Sequence, residues 1–250
     1  MRKYLLALLL SIHGGAQAQL LDAEELAAAP IFNSLSAAAK NPSRVYRLHL
    51  VGLRPKNVQK RLAALSSFTS LQELKIVRCG LTEIPPAVFE LRNLQDLDLE
   101  YNLLPFLPGE VGKLFNLKKL SLSYNLIDSV SGEIGRLKKL TTLRLGYNFI
   151  RFLPQEVGEL TQLRTLALNN NELISLPSSV GKWENLETLL INGNNLHRLP
   201  AELGTLKHLR FLHAGQNPLS TESVYMLRSQ LPHTHKIVDN VPYPTFPYRN

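Results

Sequence analysis

One cysteine, Cys79, stands in 250 residues, so no intrachain disulfide can form in any compartment. No run of five like charges occurs. The basic residues behind the formal charge of +8 are scattered, which reads as a solvated surface rather than a nucleic-acid stripe. No segment reaches the roughly 18 uninterrupted apolar residues that a membrane span requires. G-x-S-x-G, H-E-x-x-H, C-x-x-C and phosphate-cradling glycine motifs are all missing. An enzyme, a cofactor and a metal centre are therefore not expected. His233 and His235 form an H-x-H pair beside Pro232 and read as cap residues.

What is present begins with a leader-like segment. Arg2 and Lys3 precede a largely apolar stretch from Tyr4 to Ile12, then Gly14-Gly15 and the small-x-small triplet Ala16-Gln17-Ala18. Residues 1–18 read as a signal peptide, cut after Ala18, with export to the periplasm or the medium. The apolar stretch is too short to span a bilayer, which takes about 20 residues. Apolar residues make up 44% of the chain, enough for a packed core.

A period of 23 residues dominates the rest. Leu71, Leu94, Leu117, Leu140, Leu163, Leu186 and Leu209 are followed three positions on by Leu74, Leu97, Leu120, Leu143, Leu166, Leu189 and Leu212. Two positions further stand Ile76, Leu99, Leu122, Leu145, Leu168, Ile191 and Ala214. An asparagine column comes next, Asn102, Asn125, Asn148, Asn171, Asn194 and Asn217, with Cys79 in the matching place as a small buried substitute. The Leu97-x-Leu99 alternation predicts a short strand with one face inward. Stacked units then make a parallel sheet, and the chain returns on the other side.

In this form, L-x-x-L-x-L-x-x-N-x-L-x-x-L-P-x-x-x-G-x-L-x-x, the chain resembles the leucine-rich repeat family over about Val45 to Leu219. Apolar-Pro pairs such as Leu107-Pro108 and Leu153-Pro154 match, as do Gly112, Gly135, Gly158, Gly181 and Gly204. Val130-Ser131 departs from the pattern, which predicts a weakened turn. The resemblance implies an α/β solenoid, a horseshoe with a parallel concave sheet, about eight repeats and short helical caps at both ends. Residues 19–44 read as the N-terminal cap, 45–219 as the repeats, and 220–250 as the C-terminal cap and tail. Ser34 is placed to cap a helix over Leu35 to Lys40, and Ser220 one ending near Gln230, with a strand at Lys236 to Val238 pairing on the last repeat. Phe32-Asn33-Ser34-Leu35 through Asn41-Pro42 resembles the start of bacterial members.

The outward strand positions of such a scaffold are free of folding duty, and the resemblance locates function there too. Asp96, Asp98 and Glu100 make one unit acidic, and Arg144 lies two units on. Tyr101, Tyr124 and Tyr147 precede the asparagine in three consecutive units, with Leu103, Leu126 and Phe149 two positions beyond each. Together these residues predict an apolar and aromatic rim. Two readings of the tyrosines stand side by side: a contact site, or a stack that stiffens the rim. The expected function is a non-enzymatic scaffold, a monomer outside the cytoplasm that binds an unidentified protein or peptide, with no nucleic acid and no membrane span. A carbohydrate or cell-wall glycan, stacked on the tyrosines, is the alternative.

Overall fold

The computed structural model describes residues 19–53, 58–231 and 233–237. The expected signal peptide (1–18) and the proline-punctuated tail (242–248) lie outside them. Ten parallel strands form one sheet: β1 (Ile31–Phe32), β2 (Arg47–Val51), β3 (Glu73–Val77), β4 (Asp96–Asp98), then, after the flank strand β5 (Phe106–Leu107), β6 (Lys119–Ser121). Beyond the second flank strand β7 (Ser129–Val130) the sheet continues with β8 (Thr142–Arg144), β9 (Thr165–Ala167), β10 (Thr188–Leu190), β11 (Phe211–His213) and β12 (His235–Ile237). The period sets the register: Leu74 pairs with Leu97, Leu97 with Leu120, and Leu120 with Leu143. These leucines point inward and are almost wholly buried, forming the floor of a continuous core.

The strands are short for a backbone reason. The residue before the asparagine takes the left-handed conformation in successive units: Arg78 at φ 55°, Tyr101 at 57°, Tyr124 and Tyr147 at 58°, Asn170 at 54° and Gln216 at 57°. An extended strand cannot pass through that region, so none runs beyond it: β3 ends directly before Arg78, and β4, β6, β8 and β9 end three residues before theirs. The asparagine then braces the bend. Asn125 accepts the Leu104 N–H at 3.1 Å and donates to the carbonyls of Leu99 and Leu122 at 3.0 and 2.9 Å. The same pattern recurs at Asn102, Asn148, Asn171, Asn194 and Asn217. Cys79, buried as expected, directs its Sγ to the carbonyls of Leu50 and Val77, and burial raises its pKa.

The return path is built of short 3-10 turns such as Gly109–Lys113 and Gln155–Glu159, entered through Pro108 and Pro154. At Val130-Ser131 the turn is capped rather than weakened, contrary to the sequence expectation. Ser131 Oγ accepts the Glu133 N–H at 3.3 Å, and Val130 is buried in β7, which pairs with β5. Trp183 fills a leucine position in the core, and its Nε1 donates to Val157 O at 2.9 Å.

Helix α1 (Ala23–Ala28), closed by a reciprocal capping box between Asp22 and Glu25, precedes β1, and α2 (Leu35–Ala38), capped by Ser34, lies between β1 and β2. The D-x-x-E spacing is the signal for α1 that the sequence reading passed over. Buried Gln72 and Gln95 clip the segment leading into α1: Gln72 bonds Leu21 N and Gln19 O, and Gln95 bonds Leu21 O. A third helix, α3 (Val58–Leu62), lies in the return of the first, longer unit. At the far end α4 (Thr221–Gln230) starts where Ser220 Oγ accepts the Ser223 N–H, and β12 adds to β11.

Candidate binding face

Side chains alternate across a strand, so the residues flanking the buried leucines emerge on the concave face. At its N-terminal end that face neutralises itself. Arg47 grips Glu73 with Nε at 2.8 Å and Nη2 at 3.2 Å, and His49 Nε2 lies 2.5 Å from the same carboxylate. Burial opposes the charge on Glu73, but the hydrogen bonds from Arg47 and His49 outweigh it and hold the carboxyl below its ordinary range. Arg47 also donates to Ala27 O at 2.8 Å, tying α1 to the sheet.

One strand further the balance reverses. Asp96 sits directly across from Glu73, a like-charge pair, and Lys119 on its other side comes no closer than 4.0 Å. Burial raises the Asp96 pKa, Glu73 and Asp98 add to the rise, and Lys119 counters only part of it. Burial and the neighbouring Asp98 likewise raise Glu100. Asp98 accepts the Glu100 N–H at 3.1 Å. The three carboxylates therefore form one strip, two of them held where ionisation is costly. Arg144 does not bond to them; its Nη1 reaches Ser121 Oγ at 3.4 Å.

Tyr101, Tyr124 and Tyr147 stack face to face, with centroids 4.3 and 4.2 Å apart and planes within 5° and 10°. The guanidinium of Arg78 covers the outer face of Tyr101, with Cζ 4.6 Å from the ring centre. Sequence reasoning missed this fourth member, although Arg78 stands in the tyrosine column one unit earlier. Burial between its neighbours, the Tyr147 hydroxyl and the adjacent phenols push the Tyr124 pKa up to about 12. The left-handed backbone costs a side-chain-bearing residue about 1–2 kcal/mol, and a stacked aromatic pair returns about 0.5–1.5 kcal/mol. Three such residues against two stacked pairs leave the strain of about 3–6 kcal/mol only partly offset by a return of about 1–3 kcal/mol. The rings remain 38–45% exposed at their edges, and Leu103, Leu126 and Phe149 beside them are 46–48% exposed.

The histidines expected to act as cap residues do so in part: His235 packs edge-on to Phe211 at 6.0 Å. Among the described residues no three His, Cys, Asp or Glu side chains converge to hold a metal ion, and no helix is long and apolar enough to cross a membrane.

Comparison with known proteins adds the following. Leucine rich repeat models match residues 69–127 and 115–173, and a leucine-rich repeat region model matches 155–230. The human volume-regulated anion channel subunit LRRC8E is 42% identical over 83 residues, 31% of this chain and 10% of that protein. The chain thus spans about a tenth of the length of that curated relative. An internalin, InlF, from Listeria monocytogenes superimposes with a TM-score of 0.62 at 21% identity, covering 84% of this chain and 65% of that one. The plant peptide hormone receptor RGFR1, solved in complex with RGF2, does so with a TM-score of 0.63 at 24% identity, covering 86% and 32%. Both structural likenesses are likenesses of fold. The matched models together run across residues 69–230, over the same stretch in which the asparagines lock one unit to the next, and the chain belongs to the leucine-rich repeat family.

Proposed function

We propose that this chain is a non-enzymatic scaffold that binds a protein or peptide through its concave face and tyrosine rim. The observation that carries the reading is the conjunction of two costly features in one place. An exposed row of stacked tyrosines with Leu103, Leu126 and Phe149 borders a carboxylate strip whose ionisation is penalised. Contiguous exposed apolar surface marks contact sites, and tyrosine is favoured in them. The strip of Asp96, Asp98 and Glu100 gives the site a preference for basic segments, and Arg144 bounds it on the far side. RGFR1, which shares the fold, is a peptide hormone receptor; the reading for this chain rests on its own surface.

The stacking geometry also bears on the carbohydrate alternative. Sugar rings pack on flat aromatic faces, but here Tyr124 has both faces covered by tyrosine and Tyr101 has one covered by Arg78. Apart from the outer face of Tyr147, what the ladder offers outward is ring edges and hydroxyls, which suit a polypeptide better. The leader-like residues 1–18 support action outside the cytoplasm, with residues 19–44 closing one end of the solenoid and α4 with β12 the other. N-terminal sequencing of exported protein is expected to begin at Gln19.

A display selection of random peptides on the purified protein tests the binding reading. Enriched peptides are expected to carry basic residues and to lose affinity on both Y101A/Y124A/Y147A and D96N/D98N/E100Q. A central tyrosine of an interface is worth about 2 kcal/mol, or roughly thirtyfold. Peptides that bind both variants as well as the parent would overturn the assignment.

A further inference from the structure

The tyrosine ladder has one unfinished end. Arg78 closes the outer face of Tyr101 and Tyr124 is covered on both sides, but no ring or cation among the described residues stands on the far face of Tyr147. The next two units place asparagine where folding does not use it. Backbone groups at this bend are satisfied along the stack: the Tyr147 N–H donates to Asn169 O and the Asn170 N–H to Asn192 O, both at 2.8 Å. Asn171 and Asn194 brace the turns. The half-buried side-chain amides of Asn169, Asn170 and Asn192 are left with no hydrogen-bond partner among the described residues. Two glycines make room for them. A Cβ at Gly146 would stand 2.7 Å from Asn169 Oδ1, and one at Gly193 would stand 2.6 Å from Asn170 Oδ1. Asn169 therefore lies back over the Tyr147 unit, while Asn170 leans forward, away from the tyrosine. The concave positions of β9 and β10 add no charge.

We propose that the open face of Tyr147 and these three amides form a carbohydrate site, distinct from the carboxylate strip, for a glucosyl unit of a neutral glycan. An aromatic face packs against the C–H face of a pyranose. A primary amide both donates and accepts, which matches neighbouring hydroxyls. Glucose in its β form spreads every hydroxyl outward in the ring plane, so one face can lie on the tyrosine while the hydroxyls at its edge reach the amides. Amides already drawn partly out of water gain the partners that the fold withholds. All three lie within two strand spacings of Tyr147, about 10 Å, which suits one or two sugar rings. A surface without charge does not favour the basic polypeptide expected at Asp96, Asp98 and Glu100, so the two sites take different ligands and share only Tyr147.

The test is a titration of the 15N-labelled protein with cellotetraose, beside sorbitol, which has the hydroxyls without the ring face. Cellotetraose is expected to shift the side-chain amide signals of Asn169, Asn170 and Asn192, and sorbitol at equal hydroxyl concentration to leave them in place. N169G/N170G writes into this unit the residues that Gly146 and Gly193 hold in the same columns, so the fold is kept. Affinity for cellotetraose is expected to fall about tenfold in that variant, the scale of two lost hydrogen bonds. Y147G relieves a left-handed residue and is expected to cost about fivefold through the lost ring face. Equal shifts with sorbitol, shifts confined to other residues, or an unaltered affinity in N169G/N170G would overturn the proposal. So would N-acetyltyrosine amide binding at the same signals more tightly than cellotetraose, which would assign the open face to a polypeptide instead.

Discussion

Removing one asparagine from the column measures how the repeats are joined. Asn148 accepts the Ile127 N–H at 3.0 Å and donates to the carbonyls of Leu122 at 3.1 Å and Leu145 at 3.0 Å. Those carbonyls are shared: Leu122 O also receives Asn125, and Leu145 O also receives Asn171. In N148A each carbonyl therefore keeps one donor, and only the Ile127 N–H, on a fully buried residue, loses its partner outright. An orphaned buried donor costs about 1–3 kcal/mol, and the two thinned carbonyls add about 0.5 kcal/mol each. The expected loss is about 2–4 kcal/mol by urea denaturation, against about nothing for the exposed Asn195→Ala. N148D sharpens the test. Its carboxylate can accept from Ile127 but faces two carbonyls it cannot donate to, so its folded-state pKa is raised. The native state then binds the extra proton, and stability is recovered as pH falls through that raised pKa. A loss below about 1 kcal/mol for N148A, or N148D stability that worsens steadily toward acid relative to N148A, would refute this account of the column.

Other expectations follow from the same geometry. Y124G relieves a left-handed tyrosine and forfeits two stacking contacts, so stability is expected to change by less than about 1 kcal/mol; a loss well beyond that would make the ladder a structural stiffener. E73Q removes a carboxyl held below its ordinary range. The stability that Glu73 contributes is present above its unfolded value of about 4.5 and lost as pH falls through the lower folded value. E73Q is therefore destabilising at pH 7 and converges on the parent in acid. D96N has the opposite sign, because the Asp96 pKa is raised in the fold: the variant gains stability at pH 7 and matches the parent once both folded and unfolded carboxyls are protonated. W183F removes the donor to Val157 O and is expected to cost about 1–3 kcal/mol through that carbonyl and the lost volume.

The architecture was legible because its causes repeat. A leucine that recurs at a constant interval must face the same core each time, and one strand therefore predicts the next. The caps have no repeat to announce them. Helix α1 depends on one capping box, and its attachment depends on Gln72 and Gln95, which stand where later units carry Lys118, Thr141, Arg164 and Glu187. The positions of the tyrosines could be read from sequence, and their stacking as one of two alternatives, but not that the rings lie 4.2–4.3 Å apart. That stacking needs the left-handed backbone, which aims three side chains along one line, and periodicity says nothing of φ.

Departures from the period then separate into two kinds. Ser131 for proline, Trp183 for leucine and Cys79 for asparagine each satisfy the demand of the column they interrupt: the serine caps the turn, the tryptophan fills the core and donates, and the thiol turns to two carbonyls. The fold absorbs them and needs no ligand to explain them. Phe89 for glycine and the Asp96–Glu73 pairing are of the other kind. The first violates the close approach that its column exists to permit, where a Cβ at Gly135 would stand 2.7 Å from Glu156 O. The second sets like charges side by side where burial already penalises them. Phe89 repays part of its cost by packing in the core, whereas the neutral side chain that would relieve Asp96 is absent. Departures that cost stability without local compensation are therefore the positions at which binding is to be sought.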